Sequence, residues 1–141
     1  MPFKMKVTMQ RNRDYKGVDT VAYKGCGFFS YDTAFYPAFP KEVTPYDLTD
    51  EDLAKVETIL KSCLKDADVS FELKDYFKQC VAVTNKNDER EVWVNLLCHP
   101  RDMDELKYFV VETHDGGDCY LNVKVNLDKG EYYDLIVNGE A

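Results

Sequence analysis

The stretch from Cys119 to Leu127 alternates apolar and polar side chains at every position, and this pattern restricts the fold more than any other feature. The apolar positions are Cys119, Leu121, Val123, Val125 and Leu127; the others are Tyr120, Asn122, Lys124 and Asn126. Successive side chains of a strand point to opposite faces, so the pattern predicts a strand with one buried and one solvated face. Strands of this kind are typical of antiparallel sheets.

Four further segments are rich in strand-forming residues and are bounded by turn residues. They are Tyr76–Thr84, Glu91–Cys98, Lys107–Thr113 and Tyr132–Val137. The segments Asp115-Gly116-Gly117 and Asp128-Lys129-Gly130 predict three-residue hairpin loops, because glycine accepts the left-handed backbone of the last loop position. With these loops the predicted apolar pairs are Val111 with Leu121, Phe109 with Val123, Val125 with Tyr133, Val123 with Leu135 and Leu121 with Val137.

Residues 47–67 have the pattern of one amphipathic helix. Thr49 is suited to cap its start, and the acidic residues 50–52 suit the positive end of the helix dipole. The apolar stripe consists of Leu53, Val56, Ile59, Leu60, Cys63 and Leu64. A one-sided helix needs an apolar surface to cover, so we predict a single α+β domain over residues 1–141. Its helix packs on a four- to five-stranded antiparallel meander spanning 75–138.

Residues 1–46 are predicted to be an irregular lead that is rich in aromatic side chains. One interpretation is that the lead covers the open edge or the core rim of the sheet, where its own aromatic side chains would anchor it. The other is a surface that recognises a partner, since aromatic residues dominate binding hot spots. Its residues would be Phe28, Phe29, Tyr31, Phe35, Tyr36 and Phe39. Trp93 lies opposite the apolar face of its own strand, and we expect it to pack under the lead or the helix.

The charge and the cysteine content of the chain restrict which partners we expect it to bind and in which compartment we expect it to reside. The chain carries a net charge of −8, which disfavours nucleic acid. Residues 1–24 are basic, and we expect this arm to fold back onto the acidic body; the alternative is contact with an acidic partner. The five cysteines form no Cys-x-x-Cys pair, which favours reduced core thiols and a cytoplasmic protein, with one disulfide left open. Export with a removed signal is the alternative, and no apolar run is long enough to predict a membrane span.

Residues capable of chemistry are present but do not form a motif. His99 follows Cys98 directly and therefore points to the opposite face, and the predicted register separates His114 from Cys119. These four residues lack the spacing of zinc ligands, and residues 102–105 lack the alternating ligands of a calcium loop. No glycine-rich phosphate loop is present. We therefore predict no catalytic residues, no metal and no cofactor.

Two segments carry a resemblance to a family. The end of the chain, from Asp115-Gly116-Gly117-Asp118-Cys119-Tyr120 to Val137-Asn138-Gly139-Glu140-Ala141, resembles a group of uncharacterised small proteins from gut bacteria. The segment from Gln79 to Cys98 is similar to the same group, and the resemblance implies no activity. The helix and meander also resemble the cystatin-like fold. Gln79-Cys80-Val81-Ala82-Val83 is similar to the cystatin Gln-x-Val-x-Gly loop, but Val83 replaces the glycine, so only the shape is implied.

These observations favour a non-catalytic module that binds a protein partner, of an inhibitor or immunity type. The alternative is a small-molecule or enzymatic pocket between the helix and the curved sheet. The oligomeric state is left open by the sequence.

Overall fold

The computed structural model describes residues 25–31, 39–40, 42–99, 106–107, 111 and 116–138. Within them one helix packs on a six-stranded, mostly antiparallel sheet, which confirms the α+β class. The elements are β1 (Cys26–Ser30), β2 (Thr44–Pro45), α1 (Asp50–Ala67), β3 (Phe77–Thr84), β4 (Arg90–Leu97), β5 (Tyr120–Asn126) and β6 (Glu131–Val137). Short 3₁₀ turns occupy Leu73–Asp75 and Gly117–Cys119. The predicted basic arm, residues 1–24, lies outside the described residues.

Helix α1 begins directly after its N-terminal capping residue, Thr49. The backbone N–H of Asp52 donates to Thr49 Oγ1 over 3.1 Å, and the N–H of Thr49 donates back to Asp52 Oδ2 over 3.1 Å. This reciprocal pair satisfies two N–H groups that the first turn would otherwise leave free. The helix ends at Ala67, and the left-handed φ of 52° at the capping residue Asp68 turns the chain away. The predicted cap is confirmed, while the predicted start at residue 47 is three residues early.

The sheet has the order β1-β3-β4-β5-β6, with β2 paired to β3. Strands β3 to β6 are antiparallel neighbours, but β1 pairs with β3 in parallel, Phe28 lying opposite Cys80. The predicted purely antiparallel meander is therefore incomplete, and the lead is not wholly irregular. A parallel partner requires a long connection, here containing α1, and local sequence patterns do not report such distant pairing.

The predicted register is partly wrong around β5. Both sides of Leu121 are occupied, by Leu96 of β4 and Val137 of β6, so the Leu121–Val137 pair is confirmed and the Val111–Leu121 pair is wrong. Phe109 and most of the predicted strand 107–113 lie outside the described residues. Of that segment, Lys107 belongs to a helical turn and Val111 forms an isolated bridge.

The β5–β6 loop has four residues instead of three, and this shifts the first pairs of the hairpin. Val125 lies opposite Tyr132, and Lys124 lies opposite Tyr133. A bulge between Asn122 and Lys124 then absorbs one residue and replaces the predicted Val123–Leu135 pair. Asp134 has a φ of 53° at this bulge. The extra residue restores the alignment before Leu121 meets Val137.

Side chains are buried on both faces of the sheet. On the first face, Phe28, Leu60 and Val94 belong to the main core with α1. On the second face, Trp93 packs with Phe29, which confirms that Trp93 lies under the lead. A third cluster on the same face contains Leu97, Leu106 and Val111. The second face is therefore covered by residues of β1 and of the segment that follows it, and by part of the connection between β4 and β5.

The cysteines divide into one bonded pair and three buried thiols. The structure joins Cys98 to Cys119, and their Cα atoms lie 5.2 Å apart, within the range that disulfides span. Cys26, Cys63 and Cys80 are free and buried, as expected of core thiols. The bonded pair ties the end of β4 to the residue before β5 and encloses the connection between them.

Replacing Cys98 and Cys119 together by serine is expected to lower the free energy of unfolding by about 3 kcal/mol. The pair is separated by 21 residues, and cross-linking a loop of this size removes conformational entropy from the unfolded chain. Urea unfolding of the oxidised protein and of the double variant measures the difference. Thiol labelling of the denatured, unreduced protein should modify three cysteines, and modification of all five would contradict the pairing.

Candidate functional site

The structure uses the described aromatic residues of the lead for packing. Phe28 is 0% exposed on the first face, while Phe29 is 1% and Phe39 is 5% exposed on the second. Tyr31 is partly buried and meets the Phe39 ring edge-on, with 6.0 Å between the ring centroids. Phe35 and Tyr36 lie outside the described residues. A partner-binding role for these six residues stays a prediction.

The residues considered for chemistry are not brought together where the structure describes them. His99 is exposed just beyond β4, and Cys119 is bonded to Cys98. His114 and residues 102–105 lie outside the described part of the chain. Among the described residues, no three His, Cys, Asp or Glu side chains are grouped so as to hold a metal ion. None of the helices seen there is long and apolar enough to cross a membrane.

A network of charges ties the start of α1 to the sheet. Arg90 contacts the buried carboxylate of Asp52 over 3.1 Å and the exposed carboxylate of Asp128 over 2.9 Å. Its hydrogen bonds hold the pKa of Asp128 below the ordinary value. The Tyr46 hydroxyl donates to Asp52 over 2.6 Å, and burial raises the pKa of that phenol. Each described group in this network has a partner, so we assign it to stability.

A second polar network is buried on the second face. Gln79 donates to the carbonyl of Leu106 over 2.9 Å and accepts from the N–H of Val111 over 3.0 Å. Asn95 donates to Gln79 over 3.0 Å and to the carbonyl of Val111 over 2.8 Å. Gly27 permits the approach of residue 106, because a Cβ there would overlap the Leu106 carbonyl. The network therefore holds the β4–β5 connection against the sheet.

The exposed apolar surface is concentrated on β6, the last strand in the sheet order. Among the described residues, the exposed large hydrophobic side chains all belong to it: Tyr133 at 39%, Ile136 at 57% and Val137 at 40%. No described strand pairs with the outer side of β6. We define the β6 edge as the outer side of Glu131–Val137, with the exposed side chains of Ile136 and Val137.

Contacts on the inner side hold β6 in position. The hydroxyl of Tyr132 donates to Asp66 of α1 over 2.7 Å, and the hydroxyl of Tyr133 donates to Glu91. Burial and the Glu91 hydrogen bond raise the pKa of Tyr133. Lys124 contacts Asp134 over 3.3 Å. The β6 edge is thus an anchored strand and not a loose terminus.

The sequence shows a signal for this edge that the predicted register overlooked. That register placed Tyr133, Leu135 and Val137 together on the buried face. The structure instead packs Tyr132 and Leu135 against the main core, while Tyr133 and Val137 are exposed. Three consecutive apolar residues, 135–137, cannot all face the main core on a strand, so at least one had to lie on the other face.

A shallow groove runs between α1 and the β5–β6 hairpin. One part of it has a volume of about 580 Å³. That part is lined by Glu51, Ala54, Lys55, Thr58, Ile59, Leu127, Asp128, Lys129 and Gly130. An adjoining part, of about 470 Å³, shares Thr58 and Ile59 and extends to Tyr132. The groove lies beside the β6 edge on the helix side.

Comparison of the chain with protein-family models, curated proteins and solved structures finds no match.

Proposed function

We propose that this chain is a non-catalytic protein-binding module that accepts an extended segment of a partner protein along the β6 edge. The observation that carries the proposal is the confinement of the exposed large hydrophobic residues of the described chain to the outermost strand. Isolated exposed apolar residues are common, but a group on one strand edge is typical of an interaction site.

Strand addition supplies the binding free energy in this proposal. An outermost strand presents N–H and C=O groups along its free side, and an added strand pairs with them. Ile136 and Val137 would then lose exposed apolar surface against side chains of the added strand. The inner contacts of Tyr132 and Tyr133 hold β6 in place before binding, so little ordering of this strand is required.

The charge of β6 supports a basic partner. The strand carries Glu131 and Asp134 and no basic residue, and the whole chain has a net charge of −8. A second copy of the chain would place acidic strands against each other, which costs free energy. An extended segment containing lysine or arginine complements both the strand and the surrounding field.

The proposal also includes a biological role, a cystatin-like shape and a cellular compartment. An inhibitor or immunity role is consistent with a small acidic module that blocks a basic surface of its target. The cystatin-like likeness rests on the helix packed against the antiparallel strands β3 to β6, and the parallel β1 is an addition to that plan. We retain the cytoplasm as the proposed compartment and export as the alternative, which the Cys98–Cys119 pair supports.

The groove between α1 and the β5–β6 hairpin supports a second candidate function, the binding of a small molecule. Its volume of about 580 Å³ lies in the range of ligand pockets, roughly 300–1,000 Å³. This site would lie between the helix and the sheet edge, close to where the sequence predicted a pocket.

The strand-addition proposal is tested with a synthetic peptide in which valine alternates with lysine and threonine. We expect it to bind the full chain, with NMR shifts centred on β6, and we expect the same peptide with glutamate for lysine to bind at least tenfold more weakly. The double substitution Ile136→Lys and Val137→Lys should abolish binding, because it removes the apolar contacts and adds like charge.

The matched control is the pair Thr44→Lys and Asn87→Lys, which adds the same charge at exposed positions outside β6 and the α1 groove and should leave the affinity within about twofold. Hydrogen exchange of the free protein gives an independent reading. Slow exchange along the whole outer side of β6 before any peptide is added would mean that the edge is already covered, and would contradict the proposal. Peptide shifts centred on the α1 groove would favour the second candidate instead.

A further inference from the structure

We propose a second binding site, separate from the β6 edge, for a small amphipathic anion that has one carboxylate and an apolar tail. The site is a cleft between the C-terminal turns of α1 and the segment that leads to β3. We call it the lysine cleft. Its volume is about 540 Å³. It is lined by Lys61, Leu64, Lys65, Asp68, Val69, Phe71, Glu72, Leu73 and Lys74.

The floor of the lysine cleft is apolar and is held in place by the fold. Leu64 is 6% and Leu73 is 7% exposed, and both belong to the main core. The Phe71 ring meets Tyr76 edge-on, with 5.8 Å between the ring centroids. The segment is fixed to the 3₁₀ turn that precedes β5, because the N–H of Ser70 donates to the Asp118 carboxylate over 2.6 Å. A preformed apolar floor can take up a hydrocarbon chain without first reorganising.

The rim of the lysine cleft is cationic, although the protein as a whole is acidic. Lys61 and Lys65 are exposed and lie one turn apart on α1, so their side chains occupy neighbouring positions. Neither forms an ion pair with any residue that the structure describes. Lys74 contacts Glu72 over 3.4 Å and is therefore already partly neutralised. Two ammonium groups remain for a bound anion.

The two acidic side chains on the rim set the charge of the ligand. Asp68 and Glu72 repel a strongly charged anion, so a single negative charge fits this rim better than a phosphate with two. The lysine stems also extend the apolar floor toward the ammonium groups. A carboxylate at the end of an aliphatic or aromatic tail therefore matches the arrangement at both ends.

The test uses dodecanoate below its micelle concentration as the probe and isothermal titration calorimetry of the full chain as the measurement. We expect one saturable site, with NMR shifts at residues 61–74. Acetate should not bind, because it has no tail for the floor, and dodecyltrimethylammonium should bind at least tenfold more weakly, because its charge is reversed.

The decisive variants remove the rim charge and leave the floor unchanged. The pair Lys61→Met and Lys65→Met keeps similar side-chain length and should weaken dodecanoate binding about tenfold. The pair Lys61→Glu and Lys65→Glu should weaken it further. The control variant Lys86→Glu, Asn87→Glu and Thr44→Glu makes the same change in net charge at exposed positions outside the lysine cleft, the α1 groove and β6, and should leave the affinity within about twofold.

Circular dichroism shows whether the variants remain folded, and all these substitutions are at exposed positions. Equal binding to the rim variants and to the control variants would overturn the proposal, as would equal binding of the cationic detergent. Shifts centred on β6 would place the ligand at the other site and would also overturn it. Loss of peptide binding at β6 has no bearing on this result, so the two proposals fail independently.

Discussion

Replacing Gln79 by leucine is expected to lower the free energy of unfolding by about 3 kcal/mol, although the two side chains are similar in size. Gln79 is 0% exposed, and its amide forms hydrogen bonds with Leu106, Val111 and Asn95 at distances of 2.9–3.0 Å. Leucine would leave the N–H of Val111 and the carbonyl of Leu106 buried without these partners. Each such group costs about 1–3 kcal/mol. The β4–β5 connection should then separate from the second face.

Asn122→Leu is the matched control for this prediction, because Asn122 is a half-buried amide that lies opposite Asn95 in the neighbouring strand. Its replacement should change stability by less than about 1 kcal/mol. Urea unfolding measures both variants, and the double variant Gln79→Leu with Asn95→Leu should lose less than the sum of the single variants, since they share a hydrogen bond. Equal losses for Gln79→Leu and Asn122→Leu would show that the network does not hold the connection.

Replacing Phe28 by alanine is expected to lower the free energy of unfolding by about 3–5 kcal/mol. The ring is fully buried between β1 and the rest of the main core, and the neighbouring strand places Cys80 opposite it. Its removal leaves a cavity and weakens the contact that joins β1 to β3. This loss is a large fraction of the stability of an ordinary domain, about 5–15 kcal/mol.

The same variant separates the two interpretations of the aromatic lead. Truncating a side chain that only contacts a partner should change the stability of the free protein very little. Truncating a side chain of the core should lower that stability. Phe28→Leu is the control, and it should cost less than about 1.5 kcal/mol because it keeps most of the volume. Thermal and urea unfolding of Phe28→Ala that match the wild type would refute the packing assignment and restore Phe28 as a candidate contact for a partner.

The secondary structure could be predicted well where the relevant interactions are local. Thr49 and Asp52 cap α1 through neighbours three residues apart, and the apolar stripe of that helix repeats within two turns. The alternation along β5 likewise reports its buried face, since Leu121, Val123 and Val125 are all at most 1% exposed. These patterns can be interpreted without knowing which element packs against them, because any core on that side would bury the same residues.

The candidate site could be predicted only in part. The strand nature of β6 was evident, but the four-residue loop and the bulge near Asp134 changed which of its side chains face the core. A shift of one residue moves a side chain to the other face, so Tyr133 and Tyr132 exchange roles. The six aromatic residues chosen from composition are a different case, because composition does not distinguish a buried ring from an exposed one.

The amino-acid sequence by itself determined the helix, the strand character of most of the sheet and the α+β class, because capping, periodicity and turn chemistry act over a few residues. Only the tertiary structure decided that β1 runs parallel to β3, that Gln79 and Asn95 hold a distant backbone segment, and that β6 is the outermost of the strands that the structure describes. These features join residues far apart in the chain. The free energies of these contacts depend on which two surfaces pack together, and a local sequence pattern describes only one of the two surfaces.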